Sequence, residues 1–122
     1  MIIQSFKNIL AWQKSHQLTL EVYRLTKSFP THELFALVNQ IRRCAVSVPS
    51  NIAEGFCRNG KKDSLHFYNI SRASLEELKY QLLLSKDLGY INSKEYNQIE
   101  SMAEEASKTL TGWIKAQRGN DS

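Results

Sequence analysis

Residues 47–64 read "SVPSNIAEGFCRNGKKDS", a proline set in a helical pattern and followed by a glycine-bearing basic turn. Leading into and through it run Leu34, Leu37, Ile41, Ala45, Val48 and Ile52, with Gly55 next in phase. Steps of three and four place these residues on one stripe of an α-helix. Pro49 has no N–H to offer the carbonyl of Ala45, and an interior proline costs a helix about 3 kcal/mol unless tertiary packing compensates. Two readings compete: two short helices broken at Pro49, or one helix kinked there. The phase is not reset across the proline, so we read one kinked helix. It should end near Gly55 or Phe56, with "RNGKK" as the turn.

Three more stripes flank it. Ile9, Trp12, Ser15, Leu18, Val22, Leu25 and Phe29 form the first, which ends before Pro30 because a residue preceding proline is pushed out of the helical region. Thr31 is a candidate cap for the second helix, with Glu33 in its first turn. The third comprises Leu65, Tyr68, Ser71, Leu75, Leu78, Leu82 and Ser85, starting with Asp63 or Ser64 as cap and ending at Gly89. Its small residues Ser71, Ala73 and Ser74 permit close approach of another helix. The fourth opens with Asn92 and Glu95 at capping-box spacing and carries Tyr96, Ile99, Ala103, Ala106, Leu110 and Trp113 before fraying at Gly119–Ser122. Helices are expected at about residues 5–28, 33–56, 63–88 and 93–117 of one domain spanning 1–122. Short connections between long helices give an all-α, antiparallel up-and-down four-helix bundle with helix 2 kinked at Pro49.

Composition agrees. Of 122 residues, 42% are apolar and 23% charged, and five glycines with two prolines are too few for a many-turned β chain. No apolar run approaches the ~20 residues of a membrane span, and the first residues carry no secretory pattern, so a cytoplasmic protein is expected. Cys44 and Cys57 belong to no CxxC pair and are expected to be reduced.

Trp12, Val22-Tyr23, Phe29-Pro30, Gln40-Ile41-Arg42-Arg43, "SVPSNIAEG" and "SLEEL" follow one another in an order and spacing that resembles a bacterial family. These are the four-helix proteins encoded within intervening sequences of 23S ribosomal RNA genes. The resemblance runs from Trp12 to about Trp113 and is most specific over Ser47–Gly55. It implies a four-helix bundle that assembles into a five-membered ring, a homopentamer. A similar protein, the accessory variability determinant of diversity-generating retroelements, implies a reverse-transcriptase-like partner and nucleic acid bound through basic surface. The family tends to have Gly-Ser where this chain has Ala73-Ser74, a departure expected to loosen helix approach slightly.

Charge placement is informative. Between Ile41 and Arg72 lie Arg42, Arg43, Arg58, Lys61, Lys62 and Arg72 against only Glu54 and Asp63, which accounts for the whole net charge of +4. In an antiparallel bundle these cations are expected at one end and along two neighbouring helices, as a phosphate-binding patch. A merely solvated surface is the commoner fate of such a cluster. Arg43, Ser47, Ser50, Asn51, Glu54 and Arg58 share a second face of helix 2. Ser47, Ser50, Asn51 and Glu54 are therefore candidates for a polar seam facing a partner, or for groups that relieve the backbone around Pro49. Phe35, Phe56 and Tyr90, near helix ends, are candidates for an intersubunit contact.

Catalytic signatures are absent from the sequence. His16, His32 and His66 have no ligand-spaced companions, and Asp63–His66 is half of a di-iron motif whose second copy is missing. There is no nucleophile elbow and no P-loop. No catalytic residue, metal or cofactor is expected. The expected function is a non-enzymatic oligomeric accessory or scaffold protein that binds RNA, DNA or a nucleic-acid enzyme. The alternative is an oligomeric adaptor that binds protein alone.

Overall fold

The computed structural model describes residues 3–119 and contains four α-helices: α1 (Leu10–Thr26), α2 (Leu37–Phe56), α3 (Lys61–Asp87) and α4 (Ser93–Arg118). There is no strand among the described residues. The expected fraying of the C-terminus lies, beyond Gly119, outside them.

Each helix packs on two neighbours: α1 on α2 and α4, and α3 on α2 and α4, with no diagonal contact among the described residues. Side-chain pairings give the directions. Cys44 and Ser47 of α2 meet Ser74 of α3, while Val48 meets Ser71, so rising numbers on one helix meet falling numbers on the other. The same holds for Thr19 with Ala45 and Thr26 with Arg42, and for Lys79 with Ser107 and Tyr68 with Trp113. The bundle is antiparallel, as the short connections require.

The core is the four stripes turned inward. Val22, Ile41, Val48, Ile52, Leu75, Leu78, Ile99 and Leu110 are completely buried. Each such side chain contributes roughly 1.5–3 kcal/mol of transfer free energy. Four stripe residues depart from this, Trp12 and Leu65 being only partly buried at the edge of the core. Leu34 is exposed in the turn before α2, and Ile114 rather than Trp113 is the fully buried residue of the last turn of that stripe in α4. Ala73 points to solvent, so of the three small residues only Ser71 and Ser74 face α2.

Helix ends differ from expectation in instructive ways. Two single 3-10 turns, Phe6–Asn8 and Thr31–Glu33, occupy chain expected to be α-helix or its cap. Thr31 does not cap α2. Ala36 leaves the helical region at φ −121° and ψ −101°, so α2 starts at Leu37. Glu33 supplies the acceptor there, taking the Leu37 N–H at 3.5 Å and the Tyr90 hydroxyl at 2.7 Å. Gly60, not Asp63 or Ser64, precedes α3, and Asp63 lies in the first turn where the helix dipole favours it. Gly89 ends the third helical segment at φ +81°, a conformation that favours glycine. The Asn92–Glu95 capping box forms reciprocally, at 2.8 Å and 2.9 Å.

α2 runs unbroken through Pro49. That continuity decides between one helix and two, and is a separate matter from a bend. The freed carbonyl of Ala45 is served from α1, by the Thr19 hydroxyl at 3.1 Å. The same hydroxyl lies 2.8 Å from the Ser15 carbonyl, so one proton is shared between two acceptors. From the opposite side, Ser71 donates to the Val48 carbonyl at 2.7 Å.

Candidate nucleic-acid interface

The six cations singled out in the sequence do not form one patch. Arg42 and Arg43 lie early in α2 and Arg58 just past its end. Fifteen residues separate Arg43 from Arg58, about 22 Å at 1.5 Å per helical residue. Arg72 sits halfway up α3, opposite the middle of α2, and is exposed. Clustering in sequence becomes dispersion in space because both helices run the full height of the bundle.

Arg42 is largely occupied. Its Nε donates to the Thr26 hydroxyl at 2.9 Å, and its guanidinium lies 4.7 Å from the centre of the Tyr23 ring. Arg43 is exposed and has no hydrogen-bond or ion-pair partner among the described residues.

A second group does gather. Arg58, Lys61 and Lys62 occupy the turn between α2 and α3, and Lys61 Nζ donates to the carbonyl of Arg118 at 3.3 Å. That contact brings the end of α4, with Lys115 and Arg118, to the same end of the bundle. Sequence reasoning misses these last two because they lie more than fifty positions from the turn. Arg58 lies 4.4 Å above the Phe67 ring and pairs with Glu54 at 3.1 Å and, more loosely, with Asp63 at 3.7 Å. These pairs are solvent-exposed and worth little individually, so they hold Arg58 in place without burying its charge.

The polar seam divides. Ser47 shares a hydrogen bond with Ser74 at 2.8 Å, and Asn51 donates to both the carbonyl and the hydroxyl of Ser47 at 2.8 Å and 3.0 Å. Ser47 thus joins α2 to α3, while Asn51 stays within α2 and adds a donor to the Ser47 carbonyl, two residues before Pro49. Ser50 is exposed without a partner among the described residues, and Glu54 is taken by Arg58 of its own chain. Of the aromatics expected at contacts, Tyr90 is held by Glu33 and packs on Phe29, and Phe56 lies partly buried against the core. Only Phe35 of the three stands free, 90% exposed.

No three His, Cys, Asp or Glu side chains among the described residues converge as metal ligands. No described helix is long and apolar enough to cross a membrane. Cys44 is buried, and that burial, with the neighbouring Glu77 carboxylate, pushes its thiol up to about 12.

The profile of the family described as 23S rRNA-intervening sequence protein matches residues 7–112. The chain belongs to that family. Its structure is similar to a crystal structure of a protein of unknown function from the S23 ribosomal protein family of Bacteroides thetaiotaomicron VPI-5482. The two share 26% identity at a TM-score of 0.80, over 87% of this chain and 99% of that one. None of the curated proteins matches the sequence. The matched span takes in α1, α2, α3 and most of α4, and includes the "SVPSNIAEG" segment that carried the resemblance.

Proposed function

We propose that this member of the 23S rRNA-intervening sequence protein family is a cytoplasmic, non-enzymatic, oligomeric accessory protein that binds RNA or DNA, or an enzyme acting on it. The observation that carries this reading is the Lys61–Arg118 contact, which gathers Arg58, Lys61, Lys62, Lys115 and Arg118 at one end of the bundle. Cations so placed meet phosphates electrostatically, without sequence preference and with strong dependence on salt. A few charges per chain bind weakly. Assembly into a ring of about five copies, implied by the family resemblance, presents several such ends together and multiplies affinity through effective concentration. Arg42, Arg43 and Arg72 then act as outlying contacts along the helices.

The test is light-scattering mass after size exclusion, with and without a structured RNA, at low and high salt. A multimer whose mass rises with RNA at low salt supports the reading. A monomer that ignores RNA in every buffer overturns it. A second reading, a protein-binding adaptor, is favoured by one observation: Phe35 is 90% exposed beside Leu34, which is 45% exposed, an apolar knuckle suited to a protein surface. A multimer that binds no RNA even at low salt points to the adaptor.

A further inference from the structure

We propose that the groove between the start of α2 and the middle of α3 is a pocket for one unpaired guanine base. The inference deepens the nucleic-acid reading and rests on it for the source of the base.

The groove is an open depression of about 560 Å³, bordered by Phe35, Asn39, Arg43, Ser74, Glu77 and Gln81. That volume lies in the range of small-molecule sites. Gln81 is only 6% exposed, and its Oε1 is fully buried with no hydrogen-bond partner among the described residues. A buried acceptor left unpaired is costly, and Gln81 lines the groove, so a turn of its side chain towards an occupant would give Oε1 a donor from outside. Arg43 and Asn39 also have no side-chain partners among the described residues. Within that same set, the Glu77 carboxylate has one hydrogen-bond contact, the Cys44 thiol at 3.5 Å, a weak donor. Phe35 stands at the rim with its ring almost wholly in solvent.

These groups define the occupant. An anion meets Glu77 and a cation meets Arg43, so a ligand of either sign faces a like charge. A neutral, flat molecule with a donor edge beside an acceptor edge fits both. Guanine has that arrangement: N1–H and the N2 amine face a carboxylate, while O6 and N7 accept the two N–H groups of an arginine. One amine hydrogen is left for Gln81 Oε1, and the base face stacks on an exposed aromatic ring. Adenine offers Arg43 no carbonyl oxygen, and uracil offers Glu77 one N–H where guanine offers two.

The experiment has two arms. In the first, guanosine, adenosine and uridine are titrated into isotope-labelled protein, reading the side-chain amide of Gln81 and the backbone signals of Phe35, Arg43 and Glu77. Guanosine should shift all of them and the other nucleosides should not. Gln81→Leu, which removes the unpaired acceptor, should raise the melting temperature yet abolish the Phe35 shift. In the second arm, a ten-nucleotide uridine strand is compared with the same strand carrying one central guanosine. The guanosine strand should bind about tenfold more tightly. Glu77→Ala should erase that ratio while leaving all-uridine binding unchanged. The combined Arg58→Glu, Lys61→Glu and Lys62→Glu variant should weaken both strands equally and leave the guanosine shifts intact. Equal affinity for both strands with no response of Gln81 to guanosine overturns the pocket, whatever RNA does at the basic end. Guanosine shifts without binding of either strand uphold the pocket and overturn the basic-end reading instead.

Discussion

The hydroxyl of Thr19 lies 3.1 Å from the carbonyl oxygen of Ala45, the carbonyl in α2 that Pro49 deprives of its helical donor. A proline is tolerated in the middle of a buried helix here because a neighbouring helix supplies the missing proton. Removing that donor with a shape-matched side chain should therefore be expensive only while the proline is present. Thr19→Val should cost about 1–3 kcal/mol in urea unfolding, the penalty of an unpaired buried acceptor. In a Pro49→Ala background, where the backbone regains the N–H that proline lacks, the same change should cost less than half as much. Equal costs in the two backgrounds would contradict the compensation.

Gly55 and Tyr68 form the second tight fit between α2 and its neighbour. A Cβ on Gly55 would stand 2.5 Å from Cε1 of Tyr68 and 3.0 Å from the Ser64 carbonyl. Gly55→Ala should thus destabilise the protein by about 1–3 kcal/mol despite alanine's better helix propensity. Pairing it with Tyr68→Leu should make the double variant more stable than the sum of the two single losses allows. Thermal unfolding of the four proteins measures this directly.

The two cysteines should behave oppositely towards a thiol reagent. Cys57 is exposed at the end of α2, while Cys44 is buried with its thiol pushed up to about 12. One equivalent should react quickly in the folded protein and the second only on unfolding. The pH dependence has a definite sign. The raised thiol keeps its proton in the folded state while the unfolded chain ionises from about pH 9, so stability falls as pH rises towards 12. Cys44→Ala should show a shallower alkaline decline than the parent protein.

The capping box offers a small, clean test. Asn92→Ala removes the acceptor of the Glu95 N–H and should cost about 1 kcal/mol in thermal or urea unfolding, without changing the oligomeric mass.

The features legible in the sequence are the periodic and the local ones. The stripe through Pro49 keeps its phase, and the helix is continuous. Asn92 and Glu95 stand three residues apart, and the box forms. Features set by distant residues are not legible. Thr19 looks like an ordinary helix residue until α1 is laid beside Pro49. Arg43 and Arg58 look like one cluster until the rise of α2 carries them to different heights. Lys115 and Arg118 join the basic turn only because antiparallel topology returns the end of α4 to it. Gln81 is polar and falls off the apolar stripe, yet it is buried where α2 and α3 flank the groove. The turn at Ala36 depends on Glu33 binding Tyr90 from the far end of α3, so α2 starts at Leu37 rather than at Glu33.

Whether this end of the bundle holds phosphates is read from the salt dependence of RNA affinity, for the parent protein and for the variant with Arg58, Lys61 and Lys62 changed to Glu. For the parent, log affinity should fall linearly with log salt. The variant should bind more weakly and show a slope smaller by about three for each chain that contacts the strand. An unchanged slope, or affinity indifferent to salt in the parent, would contradict the claim that this end of the bundle holds the phosphates.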